Sequence, residues 1–166
     1  LALARSRTRR MSPPDLYEEA YQLGIRALRD QDTGVVVFDF DDGLIHTSDI
    51  RRDGQYGPLH KANWPIVKLA QFARAKGLHV MLLTARADSE SNRRTILEHL
   101  QHMNLVVDDL RLKLDHEPSR FKIAVRKNMQ NVLLTIGDQW PDVEGATSAW
   151  IKLPSRHDGS LHYGKI

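Results

Sequence analysis

Apolar residues along this chain gather in three short, nearly unbroken runs, separated by stretches with helical spacing. Val35-Val36-Val37-Phe38 predicts a strand over 34–40. Leu78 to Leu83 predicts a second strand and Val132 to Ile136 a third. Runs apolar at successive positions suit strands covered on both faces, as in a parallel sheet. Leu16, Ala20, Leu23, Ala27 and Leu28 recur at helical spacing, after a Ser12-Pro13-Pro14-Asp15 start. Pro65, Ile66, Leu69, Ala70 and Ala73 mark a second helix that stops at Gly77. A third helix begins near Ser89 and carries Ile96, Leu97 and Leu100; a fourth is opened by Pro118 and runs through Phe121, Ile123 and Val125.

Weaker signals complete the pattern. Leu110, Leu112 and Leu114 alternate as in an edge strand, Leu105 to Val107 is a short apolar run, and Ala149 to Leu153 is a last short strand. The turn-rich tail after it holds Asp158-Gly159, a hairpin-turn pair. A polar loop over 42–62 contains the turn signals Asp53-Gly54 and Gly57-Pro58. Strands alternating with helices predict an α/β, doubly wound (Rossmann-like) parallel sheet. The chain of 166 residues suits a single domain over 13–166 behind a basic tail over 1–12.

Composition narrows the chemistry. There is no cysteine, which excludes disulfides, thiolate metal sites and a cysteine nucleophile. No apolar run is long enough to span a membrane. The reading is a soluble protein, compartment unknown, with the cytoplasm slightly favoured. The net charge is +3, but Arg5, Arg7, Arg9 and Arg10 stand in the first ten residues; removing those four leaves −1. The basic character therefore belongs to the tail. That tail reads as a solvated extension, a processing remnant, a transit-like segment or a nucleic-acid-binding arm.

Polar residues stand where the apolar runs end. Asp39 and Asp41 follow the first run, two apart, so an extended backbone would point both side chains the same way. Like charges that close call for a cation between them or a chemical task for one. Thr84-Ala85-Arg86 follows the second run, Lys122 lies early in the fourth helix, and Gly137-Asp138-Gln139-Trp140-Pro141-Asp142 follows the third run. In a parallel sheet all strand carboxyl ends share one edge, so these groups can converge. Taken singly, Thr84 reads as a cap or turn residue, Lys122 as a solvated lysine, and Asp138 and Asp142 as helix-start acids. Asp42 is assigned no role. His46 and His60 read as exposed loop histidines, and Trp64, Trp140 and Trp150 as packing residues.

The ordered set Asp39-Phe40-Asp41, Thr84, Lys122 and Gly137-Asp138-x-x-x-Asp142 resembles the haloacid dehalogenase (HAD) superfamily of phosphohydrolases. Gly137-Asp138-Gln139-Trp140 and Lys152-Leu153-Pro154 are similar to the acid phosphatase and vegetative storage protein group within it. The resemblance implies a Mg²⁺-dependent phosphatase acting on a phosphoric ester bond through an aspartyl-phosphate. Asp39 would be the nucleophile, and Asp41 the acid and then the base. Mg²⁺ would be held by the Asp39 and Asp138 side chains and the Asp41 backbone carbonyl. Thr84, Ala85 and Lys122 would bind the phosphate, with Asp142 supporting the metal's waters or Lys122. Arg86, beside Thr84, reads equally as a substrate contact or a surface residue.

The resemblance also implies that neither usual insertion point holds a large cap domain. An open site would admit a bulky phosphorylated substrate such as a nucleotide, nucleic acid or phosphoprotein, or be completed by oligomerisation. Where the family usually has Thr or Val this chain has Gly43, read as loosening the turn after the acid pair. Three rivals remain at this point. One is a nucleic-acid end phosphatase, to which the basic tail would contribute. Another is a phosphorylated switch, disfavoured because no Asp follows a separate middle strand. The last is a catalytically weakened binding or storage protein, for which Gly43 is the best support.

Overall fold

The three apolar runs become the centre of one sheet. The computed structural model describes residues 5–7, 13–47 and 59–166. Ser12, Arg9, Arg10 and the turn signals Asp53-Gly54 and Gly57-Pro58 lie outside them. In chain order the elements are β1 (Arg5–Arg7), α1 (Pro13–Leu28), β2 (Val35–Phe38), β3 (Ile45–His46), β4 (Lys61–Ala62), α2 (Trp64–Ala75) and β5 (His79–Ala87). They continue with α3 (Glu90–His102), β6 (Asp109–Lys113), α4 (Phe121–Lys127), β7 (Val132–Gly137), β8 (Ala149–Lys152) and β9 (Leu161–Gly164).

A seven-stranded sheet has the order β1-β9-β8-β7-β2-β5-β6. The five strands from β8 to β6 are parallel, while β9 runs antiparallel to both β8 and β1. This is the predicted α/β architecture with β2 at its centre. Side chains alternate across the sheet. Val36, Phe38, Val80, Leu82, Leu134 and Ile136 join Leu16, Leu69 and Ile96 from α1, α2 and α3 in the main core. Val37, Met81 and Leu83 face the other way and pack with Phe121 of α4. Each fully buried Leu, Ile or Phe contributes about 1.5–3 kcal/mol relative to exposure. Ser89 caps α3, its side chain accepting from the Asn92 amide at 3.1 Å.

Several boundaries differ from the sequence reading, each for a physical reason. β2 stops at Phe38, because residues 42–44 turn back and the Gly43, Leu44 and Ile45 amides donate to the Phe40 and Asp39 carbonyls. β5 runs four residues past Leu83, through an irregular pairing with β6: Leu83 faces Arg111 and Ala87 faces Lys113. The helix signalled by Pro118 begins at Phe121, whose amide donates to the Pro118 carbonyl. The turn-rich tail returns as β9, burying Leu161 and Tyr163. Arg5–Arg7, expected to be a solvated extension, pairs with β9 as an edge strand. The loop after the acid pair is closed at its base by β3 and β4, which pair antiparallel. Among the described residues no large cap interrupts the sheet, and no helix is long and apolar enough to cross a membrane.

Candidate active site

The carboxyl ends of β2, β5 and β7 bring the flagged residues to one sheet edge. Asp39 follows β2, Thr84 to Arg86 form the last part of β5, and Asp138 follows β7. Lys122 comes from the first turn of α4, and Asp142 closes a short 3₁₀ turn, Trp140–Asp142.

Lys122 is the hinge of the buried part. Its Nζ donates to Asp39 Oδ1 and to Asp142 Oδ1, both at 2.6 Å. Asp39, Asp138 and Asp142 are all buried, and each presents an oxygen within 4.8 Å of the others. Three carboxylates against one ammonium leave a formal charge of −2. Burial opposes the charge of Lys122, but Asp39 and Asp142 hold its pKa above the usual value. Burial pushes the Asp39 carboxyl up, and Asp142 and Asp138 add to this against the pull of Lys122. Burial likewise pushes Asp138 up to about 6, a hydrogen bond from Gln139 opposing it. A buried cluster of hard oxygen donors with excess negative charge fits a divalent cation such as Mg²⁺.

Local sequence explains how Asp142 reaches the cluster. The Gln139 amide donates to Asp142 Oδ2 at 2.9 Å, and Thr135 Oγ1 donates to the Asp142 carbonyl at 2.7 Å. The carboxylate folds back over Gly137, where a Cβ would lie 2.4 Å from it. Only glycine leaves that space. The Gln139 side chain donates to Asp138 Oδ2 at 2.9 Å, fixing the neighbouring acid.

Asp41 stands apart from this cluster. Phe40, between the two aspartates, is fully buried in the core. The Asp41 carboxylate takes a bidentate pair from Arg86, at 2.8 Å from Nε and 2.7 Å from Nη2, and a third hydrogen bond from Thr47 Oγ1 at 3.0 Å. Burial raises its pKa, yet Arg86 and Thr47 outweigh that and hold it below the usual carboxylate value. Arg86 lies 5.0 Å over the Phe40 ring, so it is part of the site edge rather than a free surface residue. The Thr84 hydroxyl, almost fully buried, accepts from the Arg86 amide at 3.2 Å and keeps its own proton to donate. The pairing of β5 with β6 is irregular between Leu83 and Ala87, the stretch that carries Thr84, Ala85 and Arg86.

Gly43 does not loosen the turn. A Cβ there would lie 2.4 Å from the Asp39 carbonyl oxygen and 2.9 Å from its carbon, both backbone atoms. The turn is tight enough to demand glycine, and its carbonyl is held at 3.0 Å by the Asn63 side chain. Asn63, Thr47 and Gln139 were missed from sequence. Asn63 gave one signal, its place ahead of Trp64-Pro65, but its side chain reaches Gly43 instead of capping α2. The histidines are also not simply exposed. His46 packs on Tyr17, and the His60 amide donates to buried His99 at 2.9 Å. Trp140 and Trp150 pack together as read, with His162 against Trp140, although Trp140, like Trp64, is about half exposed.

Comparison with known proteins agrees with this geometry. Residues 15–157 match the family model for the HAD superfamily, subfamily IIIB (acid phosphatase). Among solved structures, the class C acid phosphatase from Bacillus anthracis superimposes with a TM-score of 0.64 at 13% identity, over 82% of this chain. The chain spans 66% of that protein's length. Its tungstate-bound form gives a TM-score of 0.60 at 15% identity, over 82% of this chain and 68% of that one. A chain of the Pnkp1/Rnl/Hen1 RNA repair complex gives 0.53 at 17% identity, over 68% of this chain and 38% of that one. No curated protein matches. The family model covers most of the chain, including every residue of the site just described, so the protein belongs to the HAD superfamily, subfamily IIIB, the acid phosphatases.

Proposed function

We propose that this phosphatase is a Mg²⁺-dependent phosphomonoesterase that works through an aspartyl-phosphate on Asp39. The observation that carries the reading is the buried set of Asp39, Asp138 and Asp142, which Lys122 only partly neutralises. The side chains of Asp39 and Asp138 and the backbone carbonyl of Asp41 would hold the metal. When bound, Mg²⁺ supplies positive charge between two anions, the phosphate and the carboxylate. Lys122, the Thr84 hydroxyl and the Ala85 amide would hold phosphoryl oxygens. A carboxylate oxygen of Asp39 attacks phosphorus and the P–O bond to the leaving group breaks, while Asp41 gives its proton to the departing oxygen. Asp41 then takes a proton from water, which attacks the same phosphorus. The bond to Asp39 breaks and inorganic phosphate leaves.

Arg86 has a place in this scheme. It holds Asp41 ionised and turned aside. An arriving phosphate dianion competes for the guanidinium, and Asp41, once released, takes up a proton from solvent before it serves as the acid. The catalytic domain is read as 13–166. Ahead of it, Arg5–Arg7 pair with β9.

The test is phosphate release from p-nitrophenyl phosphate with Mg²⁺ and with EDTA, beside the Asp39→Asn protein, with acid-quenched trapping of label from a ³²P-phosphomonoester. Turnover and trapped label that need both Mg²⁺ and Asp39 are expected. Turnover that survives Asp39→Asn overturns the scheme. The substrate screen begins with nucleotides and phosphorylated oligonucleotides, since one structural neighbour belongs to an RNA repair complex.

A further inference from the structure

A cavity is lined by residues of α4, of β7 and of the segments beside them, and none of these lining residues is proposed to hold phosphate or metal. It has a volume of about 460 Å³ and sits between α4, β7 and the segment 143–148. That is the size of a small-molecule site. Ile123, Met129 and Val132 give it an apolar wall. Arg126, Thr135 and Ser148 give it polar groups. The hydroxyls of Thr135 and Ser148 are already committed to the carbonyls of Asp142 and Val132.

Arg126 is the unusual member. It is 8% exposed, and among the described residues no carboxylate bonds to it. Its two terminal nitrogens donate to backbone carbonyls, Pro141 at 2.8 Å and Glu144 at 2.7 Å. The acid in the cavity wall, Glu144, gives its carboxylate to Arg120 instead. Burial pulls the Arg126 pKa down against the nearby charge of Asp142, though a guanidinium stays charged in a protein. Asp142 is thus its counter-charge, yet that carboxylate is bonded to Lys122 and Gln139 and not to Arg126, so the cavity leaves room for an anion on the guanidinium itself. One planar cation with free N–H groups beside an apolar wall matches one planar carboxylate on an apolar body.

We infer that this cavity is a second ligand site that takes a small organic carboxylate, its anion on Arg126 and its apolar body against Ile123, Met129 and Val132. The site is wired to the phosphate edge. Arg126 lies one turn after Lys122 on α4, and its two bonded carbonyls bracket Asp142, the other partner of Lys122. A ligand that draws the guanidinium away from those carbonyls acts on the loop that positions Asp142.

The inference does not depend on the phosphatase mechanism, and its test reads binding alone. Uniformly ¹⁵N-labelled protein is titrated with benzoate and, as the neutral control of the same shape, with benzamide. The amides of Gly145, Ala146 and Ser148 and the Arg126 Nε–H report the site. Saturable shifts with benzoate, and binding at least tenfold weaker with benzamide, are expected. Ala146→Trp, which places a large side chain in the cavity lining and keeps Arg126 in the chain, should abolish the shifts. Arg126→Gln should do the same where the protein remains folded. No saturable shift in the folded wild type, equal response to benzamide, or shifts that persist in Ala146→Trp would each overturn the inference.

Discussion

Asp39 and Asp41 are one residue apart in sequence and opposite in electrostatics. Asp39 is buried with two further acids, and its carboxyl is pushed up. Asp41 is half-buried, takes three hydrogen bonds from Arg86 and Thr47, and its carboxyl is pushed down. Burial raises both. What separates them is who stands alongside: two acids and one shared lysine in the first case, an unshared guanidinium in the second. A carboxylate crowded by others is poised to accept a cation; one clamped by arginine is already neutralised and must be released before it can move a proton. The two roles proposed for them require this difference to be reversed on binding: a cation to ionise Asp39, and release from Arg86 to let Asp41 take up a proton.

Replacing each in turn gives the largest contrast. Asp39→Asn should cost at least about a thousandfold in kcat with any phosphomonoester. Without metal its Tm should hold or rise, because the substitution removes one buried negative charge. Asp41→Asn should cost about 10²–10⁴-fold with phenyl phosphate and much less with p-nitrophenyl phosphate, whose leaving group needs little help from an acid. Its Tm should fall, since Arg86 loses its carboxylate. Rates with both substrates, set beside calorimetric Tm values, check the pair. Equal sensitivity of the two substrates to Asp41→Asn would break the acid assignment.

Gly43 packs against the Asp39 backbone and offers the next largest effect. Gly43→Thr matches the family's more usual residue, yet its Cβ would collide with the Asp39 backbone. The expected outcome is a loss of about a hundredfold in kcat through displacement of Asp39. Activity that rises on this substitution would mean that the turn relaxes easily and that glycine is a defect.

These particulars mark where sequence reading reached and where it stopped. Asp39, Lys122, Asp138 and Asp142 stand just after an apolar run or in a helix start, and parallel topology sends such positions to one edge. Their gathering was legible for that reason. The partner of Asp41 was not, because β5 continues past Thr84 through an irregular pairing that a run of apolar letters does not reveal. Nor was the demand for Gly43, which depends on how closely a backbone folds over itself. β1 was hidden too: Arg5-Ser6-Arg7 has no apolar alternation, and its hydrogen bonds come from β9, far away in sequence.

Proton binding sharpens the comparison further. Asp138 lies near 6 and Asp39 is also raised, so between about pH 4 and 6 the folded metal-free protein holds protons that the unfolded chain has released. Stability conferred by these groups is present at low pH and lost as pH rises through their folded values. The metal-free Tm should therefore be several degrees lower at pH 7.5 than at pH 5.5. Mg²⁺ should raise Tm more at pH 7.5, where the carboxylates are ionised. A metal-free Tm that increases over this range, or a Mg²⁺ effect independent of pH, would contradict the reading of the cluster as a cation site.

The smallest effect is the most specific. Arg86 lowers the Asp41 pKa, and a general acid is lost as pH rises past its pKa. With Arg86 in place, the alkaline limb of kcat/KM for phenyl phosphate is held at low pH. Arg86→Gln removes the opposing charge but keeps an amide donor, so the Asp41 pKa moves upward. The limb should follow in the same direction and by a similar amount. KM should rise as well, since the guanidinium no longer draws in phosphate. With p-nitrophenyl phosphate the limb should stay where it was, because that leaving group does not wait for the proton. A limb that shifts equally for both substrates would assign the titration to another group, with Asp138 the first candidate. A limb that does not move for either would leave the Asp41–Arg86 pair as structure alone, and the contrast between the two aspartates would then be one of folding and not of chemistry.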